Sequence, residues 1–166
     1  MRILLICVLF VFPVSASSII NEVRYSFPII ETVDEVDFFI NQLEKENSNT
    51  AKAYIATMYF MKSKYVKFPI TKYKYFKKGK RGLDTLIKNN VTDIEMRYLR
   101  FILQHQMPKF LGYHQNKNKD FEVITKNIVA STLPKDYKIK ILNTMLLVTN
   151  STETKTNKIN LLLKKL

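Results

Sequence analysis

Two arginines and a glutamine recur at helical spacing in the middle of this 166-residue chain. Arg97, Arg100 and Gln104 fall on one narrow stripe of a predicted helix, and Asp93 lies one turn before Arg97 on the same stripe. Two guanidinium groups on one helix face could bind a carboxylate or a phosphate through paired hydrogen bonds. The stripe is therefore the first candidate binding site.

The same stripe has a structural interpretation, which we favour. Arg97 can pair with Asp93, four residues earlier. Arg100 and Gln104 can hold the carbonyls of a turn at Pro108–Tyr113. A buried arginine needs such partners because burying an unpaired charge is costly. We expect the four polar residues to form a structural network, and the alternative is a small-molecule binder or an enzyme that uses Arg97 and Arg100.

A second candidate is the stretch Lys62–Arg81, in which basic and aromatic residues are interleaved. No acidic residue occurs between Glu46 and Asp84. Cations among aromatic rings suit phosphate contacts with stacking on bases, and they suit lipid headgroups or acidic glycans equally. The alternative is that the aromatic residues enter the core while the lysines are solvated around them. The candidate anion or partner surface consists of Lys62, Lys64, Lys72, Lys74, Lys77, Lys78, Lys80 and Arg81.

The chain carries no motif typical of catalysis or of a bound cofactor. His105 and His114 are the only histidines, and neither has a second ligand at metal spacing. No G-x-S-x-G or S-x-x-K motif occurs, and three glycines are too few for a phosphate-binding loop. We predict no catalytic residue, metal or cofactor. Five carboxylates could meet in space as a pair, although their spacing does not indicate it: Asp84, Asp93, Glu95, Asp120 and Glu122.

The first 16 residues have the organisation of a secretory signal. Arg2 supplies a positive start, Ile3–Val14 is a short apolar run, and Ala16 ends a suitable cleavage site. The run is shorter than the roughly 20 residues that span a membrane, although Ile19 and Ile20 could extend it into an uncleaved anchor. We predict cleavage, no transmembrane helix afterwards, and export to the periplasm or cell envelope, or secretion.

Composition bounds the mature chain further. Cys7 is the only cysteine and lies inside the predicted signal, so no disulfide is available and the core alone must hold the fold. The formal charge is +13, and removing Arg2 leaves 26 − 14 = +12. This excess favours anionic partners and opposes self-association. The expected partner is an envelope protein, an anionic polymer or a lipid surface; nucleic acid is less favoured because an exported protein rarely meets it, and the oligomeric state is left open.

Helical periodicity runs through the chain, and no segment shows convincing strand alternation. Capping boxes at Thr32–Glu35 and Thr92–Glu95 predict two helix starts. The helix after Thr92 is apolar over most of its circumference, which predicts a central helix, and it ends before Pro108. We predict an all-α fold, an antiparallel helical-hairpin array that is degenerate and tetratricopeptide-like.

Small residues predict a close crossing of two helices. Ala53 and Ala56 lie on the first of them, and Gly79 and Gly82 lie on the second. Beyond the central helix, Pro108–Tyr113 is expected to be a compact turn with two apolar anchors and a glycine that can take a positive φ.

The chain divides into four predicted segments. Residues 1–16 are the signal peptide, 17–31 a lead-in, 32–150 the α-helical domain, and 151–166 a linker with a C-terminal amphipathic helix. The basic face of Lys158–Leu166 could lie on an anionic membrane surface. We favour a last helix that caps the helical stack.

Part of the chain resembles an uncharacterised family of small exported bacterial α-helical proteins. The resemblance covers about Tyr54–Asp120 and rests on AYIATMYFMKSKYVKFP, YFKKGKRGLDTLI and IEMRYLRFILQHQMPKFLGY. The family pattern is a YFKKGK helix, an E-x-R-x-L-R-x-x-x-Q helix and a P-x-FLGY turn. Met107 stands before Pro108 where a smaller residue is expected, so we expect the turn to pack differently. The resemblance implies a helical fold and export, and it carries over no activity and no catalytic residue.

These observations together favour an exported, non-catalytic interaction or structural module of the cell envelope. The alternatives are the small-molecule binder or enzyme at Arg97 and Arg100, and a polyanion or nucleic-acid binder that uses the stretch Lys62–Arg81.

Overall fold

The structure, a computed structural model, describes residues 16–149 and 153–166, with side-chain environments from residue 19 onward. These ranges form eight α-helices and one short 3-10 helix, and they contain no strand, so the predicted all-α fold is confirmed. The helices are α1 Ala16–Ser26, α2 Val33–Leu43, α3 Asn49–Tyr65, α4 Pro69–Asn89, α5 Ile94–Gln106, α6 Lys117–Asn127, α7 Lys135–Val148 and α8 Glu153–Leu163, with the 3-10 helix Lys109–Leu111 between α5 and α6.

The predicted lead-in contributes to the core. Helix α1 ends before Pro28, and the side chains of Val23, Phe27 and Ile30 are buried in the cluster that includes the later helices. The predicted signal peptide lies outside the described residues except for Ala16, and so do residues 151–152 of the predicted linker.

Helices α2 and α3 start where polar side chains satisfy free backbone amides. The predicted capping box at the start of α2 is confirmed: the Glu35 amide donates to Thr32 Oγ1 at 3.2 Å, and the Thr32 amide donates to Glu35 Oε2 at 3.1 Å. Ser48 caps α3 by accepting a hydrogen bond from the Ala51 amide at 3.0 Å.

Helix α5 is the central helix, as predicted. Every side chain from Ile94 to Gln104 is buried, and the helix packs against α3, α4, α6 and α7. The capping box expected at Thr92 is wrong. Asp93 is the N-cap and accepts a hydrogen bond from the Met96 amide at 2.8 Å. Glu95 does not cap the helix start, because its carboxylate binds Arg24 and Tyr54.

Helices α3 and α4 form a closely packed hairpin. A Cβ atom at Gly79 would lie 2.7 Å from the Ala56 carbonyl oxygen and 2.9 Å from the Phe60 amide nitrogen, so only glycine fits this crossing. The predicted close approach is confirmed. Helix α4 begins at Pro69, because proline lacks an amide hydrogen that the first turn would leave unbonded.

The turn after α5 reverses the chain through Gly112, which takes the expected positive φ of 62°. Tyr113 is its buried anchor and lies between Phe60, with ring centroids 5.3 Å apart, and Phe76, at 6.1 Å. Leu111 is only partly buried, and Phe110 is 86% exposed, so this aromatic residue does not anchor the turn.

Helix α8 packs on α7 and α6 at the end of the stack. Ile159 is buried, and Lys158 Nζ lies 2.6 Å from Glu122 Oε2 on α6. These contacts favour the capping interpretation of the C-terminal helix.

Candidate anion-binding face and the buried arginine network

The eight residues predicted as an anion surface lie on the last part of α3 and on α4. We call them the basic face. Six have exposed side chains, whereas Lys62 and Lys80 are partly buried. The α3–α4 crossing at Gly79 holds the two helices together and thereby gathers these cations on one helical hairpin. The exposed members are Lys64, Lys72, Lys74, Lys77, Lys78 and Arg81.

Several of the lysine ammonium groups lie over tyrosine rings. Lys78 Nζ lies 3.7 Å from the ring centroid of Tyr59, and Lys62 Nζ lies 5.1 Å from that of Tyr75. The rings of Tyr59 and Tyr75 stack on each other at 5.9 Å. A cation above an aromatic face is attracted to it without losing its charge. The Tyr59 ring therefore orders the amine of Lys78 and leaves it available to an anion.

Few of the cations on the basic face are paired with a carboxylate. Lys62 is the exception, since its Nζ lies 2.5 Å and 2.7 Å from the two carboxylate oxygens of Asp37. The seven other cations have no carboxylate of a described residue within ion-pair distance. Pairing with Asp37 raises the pKa of Lys62, against the opposing effect of burial. Lys62 is therefore a structural member of the face.

An open groove of about 1110 Å³ runs along this face between α3, α4 and the 3-10 helix. Asp84 is the one acidic residue among the described residues that line it, and its Oδ1 already accepts hydrogen bonds from Arg100 at 3.1 Å and Tyr113 at 2.9 Å. The groove thus presents positive charge. Its basic lining residues are Lys52, Lys77, Lys78, Lys80 and Arg81.

Arg97 and Arg100 are buried and share the carboxylate of Asp120. Arg97 Nη1 donates to Asp120 Oδ1 at 2.7 Å. Arg100 Nε donates to Asp120 Oδ2 at 2.7 Å, and its Nη2 donates to Oδ1 at 2.8 Å. Asp120 is fully buried at the start of α6. Arg97 and Arg100 therefore belong to a buried polar network whose acidic partner comes from another helix. Asp93 and Gln104, which were predicted as members, are not part of it.

Two expected contacts within the stripe are wrong. Arg97 does not pair with Asp93; its Nε donates to the Val91 carbonyl at 2.7 Å, because Asp93 is occupied in capping α5. Arg100 does not hold the carbonyls of the turn, since Asp120 and Asp84 satisfy it. Gln104 is buried, and its amide has no hydrogen-bond partner within the described part of the chain.

A second buried network was missed by sequence reasoning. Arg24 of α1 donates to both carboxylate oxygens of Glu95, at 2.8 Å and 2.7 Å. Tyr54 donates to Glu95 Oε1 at 2.9 Å, and its hydroxyl lies 2.8 Å from that of Tyr137. Burial raises the pKa of Tyr54 and Tyr137, so both phenols stay protonated. The signal in the sequence was a glutamate on the apolar circumference of the central helix.

The histidines do not converge with either network. His105 Nδ1 donates to the Phe101 carbonyl at 2.8 Å, and burial lowers the pKa of its imidazole. His114 is exposed. Among the residues that the structure describes, no three His, Cys, Asp or Glu side chains are placed to hold a metal ion. None of the described helices is both long and apolar enough to cross a membrane.

No family model matches the chain, and neither a curated protein nor a solved structure matches it. The resemblance of Tyr54–Asp120 to a family of exported helical proteins therefore stays a prediction.

Proposed function

We propose that this protein is an exported, non-catalytic helical module of the cell envelope that binds an anionic partner through the basic face. The observation that carries the proposal is the set of exposed cations on α3 and α4 that no described carboxylate neutralises. Export rests on the signal organisation of residues 1–16.

Electrostatics supports this use of the face. Like charges held side by side on two packed helices repel one another, and an anion relieves that repulsion. The tyrosine rings under Lys78 and Lys77 restrict the amines at 3.7 Å and 5.4 Å, so less side-chain freedom is lost on binding. A pre-ordered cationic surface therefore binds an anion better than freely moving lysines do.

The arginine stripe is the less favoured site. The guanidinium groups of Arg97 and Arg100 are directed at Asp120, Asp84 and the Val91 carbonyl, and their side chains are only 3% and 7% exposed. A ligand would have to displace buried carboxylates, which is costly. These contacts support a structural role for the stripe over a catalytic or small-molecule site.

Binding to immobilised dextran sulfate tests the proposal. The chain from Ser17 is used, because every core side chain that the structure describes lies at Val23 or beyond. We expect binding that weakens steeply with salt, as counterion release requires. A variant with Lys74, Lys77, Lys78 and Arg81 changed to glutamate should lose it.

The matched control changes four exposed lysines away from the basic face to glutamate, so that the net charge changes equally. These are Lys126, Lys135, Lys164 and Lys165. The control should retain most of the binding. Equal loss in the two variants would mean that total charge, and not the basic face, attracts the polymer, and the proposal would fail.

A further inference from the structure

Large apolar side chains project into solvent at one end of the basic face. Phe68 is 74% exposed and Ile70 is 86% exposed where α3 turns into α4, and Phe110 is 86% exposed on the 3-10 helix. Tyr73, one turn into α4, is 56% exposed. We call these four residues the apolar tip. Exposed aromatic and aliphatic residues are common singly, but a cluster of them marks a binding surface.

An apolar groove brings the two parts of the tip together. It has a volume of about 580 Å³ and is lined by Tyr73 and Phe110, while Pro69, between Phe68 and Ile70, lies on its wall. Its floor includes Phe60, Phe76 and Leu103. The α3–α4 corner, at Pro69, and the 3-10 helix, at Phe110, therefore lie on the same groove.

Lysines surround this surface. Lys64 and Lys72 line the groove, Lys67 precedes Phe68, and Lys109 precedes Phe110. All four side chains are exposed, and none has a carboxylate of a described residue within ion-pair distance. None of the described residues that line the groove is acidic. The chemistry of this end is thus apolar at the centre and cationic at the rim.

We propose that the apolar tip docks onto an anionic lipid bilayer. Phe68, Ile70 and Phe110 enter the boundary between headgroups and acyl chains, and the lysines contact lipid phosphates. Proteins that lie on membranes combine apolar side chains with cations in this way. The inference rests on the proposed function and narrows its anionic partner to a lipid surface.

The arrangement favours a bilayer over a soluble polyanion. A soluble polymer of sulfates or phosphates would pair with the lysines but would leave Phe68, Ile70 and Phe110 in water. A bilayer satisfies both, because its anionic headgroups lie directly above its apolar interior. Phe68, Ile70 and Phe110 are 74%, 86% and 86% exposed, which suits insertion into a planar surface.

Sedimentation with vesicles tests the inference. The chain from Ser17 is mixed with vesicles of phosphatidylglycerol and phosphatidylcholine, or of phosphatidylcholine alone; this chain lacks the apolar run Ile3–Val14, which would itself bind lipid. The test variant changes Phe68, Ile70 and Phe110 to serine. The control changes Ile29, Leu147 and Leu161 to serine, which are 73%, 79% and 59% exposed on other parts of the fold.

We expect the native chain and the control to bind the anionic vesicles, and the tip variant to lose at least about tenfold in affinity. The native chain, the control and the tip variant should bind dextran sulfate equally, because the basic face is unchanged in each of them. Equal vesicle binding by the tip variant would overturn the inference, as would a native chain that binds dextran sulfate but not anionic vesicles. A native dimer that the tip variant cannot form, seen by size-exclusion chromatography, would assign the patch to self-association. Loss of binding to every anionic target would instead overturn the proposed function.

Discussion

Asp120 and Arg100 form a two-point ion pair in the protein interior, with Nε 2.7 Å from Oδ2 and Nη2 2.8 Å from Oδ1. The planar guanidinium matches the carboxylate, which makes the pair directional as well as charged. Arg97 binds the same carboxylate, and Asp84 supplies a second negative charge to Arg100. Two arginines are thus balanced by two aspartates, and α5 is tied to α4 and α6.

Removing the charge of Asp120 should destabilise the protein strongly. Asp120→Asn keeps the shape of the side chain but leaves two buried guanidinium groups short of a partner. We expect the free energy of unfolding to fall by about 3–5 kcal/mol in urea denaturation. Glu122→Gln is the matched control, because its ion pair with Lys158 is exposed and is worth about 0–1 kcal/mol. A loss below about 1 kcal/mol for Asp120→Asn would contradict the role assigned to the network.

Glu95 should control how firmly α1 is attached. Glu95→Gln removes the charge that holds Arg24, and we expect a loss of about 1.5–3 kcal/mol. In Glu95→Gln, hydrogen exchange of the α1 amides should speed up relative to the native protein, and by more than exchange of the α7 amides. Tyr54→Phe is the comparison, since it keeps the Arg24–Glu95 pair at 2.7 Å. Unchanged α1 exchange in Glu95→Gln would mean that apolar packing alone holds this helix.

The crossing of α3 and α4 should not tolerate a methyl group at Gly79. Its Cβ would meet the backbone of Ala56 and Phe60 at 2.7 Å and 2.9 Å, and backbone cannot move aside easily. We expect Gly79→Ala to cost about 1–3 kcal/mol in thermal or urea unfolding. Gly82→Ala approaches only the Ala56 side chain, at 3.1 Å, so it should stay within about 1 kcal/mol of the native protein. Similar behaviour of the two variants would show that the crossing can open.

His105 should make stability depend on pH below neutrality. Burial lowers the pKa of His105 in the folded protein, so an unfolded histidine, with a pKa of about 6.5, binds its proton first. Its contribution is complete above that pKa and is lost as the pH falls through the lower, folded value. The melting temperature should therefore decrease as the pH is lowered from about 7 to about 5.

The histidine contribution is isolated by two variants. In His105→Gln, the melting temperature should depend less on pH over this range. His114→Gln changes an exposed position and should leave the dependence of the melting temperature on pH unchanged. If the melting temperature depends on pH equally in the native protein and in His105→Gln, the acid sensitivity belongs to carboxylates and not to His105.

The local features of this chain were predictable from its residues. The capping box of Thr32, the stop before Pro108, the positive φ at Gly112 and the close approach at Gly79 depend on neighbouring residues or on one residue type. For the same reason the central position of α5 followed from its apolar circumference. The capping box at Thr92 failed because Glu95 has a choice of partners, and the partly buried Arg24 outcompetes the amide of the exposed Thr92.

The sequence by itself determined that the chain is helical and basic and that it has no cysteine after Cys7. Only the tertiary structure decided which charges remain free. Arg24 and Glu95 are 71 positions apart, and Arg100 and Asp120 are 20 apart, yet each pair meets in the interior. The lysines of α4 have no carboxylate partner within the part of the chain that the structure describes. Periodicity along one helix reports which face is buried, but the pairing of charges depends on how separate helices pack against one another, and that is a property of the folded chain.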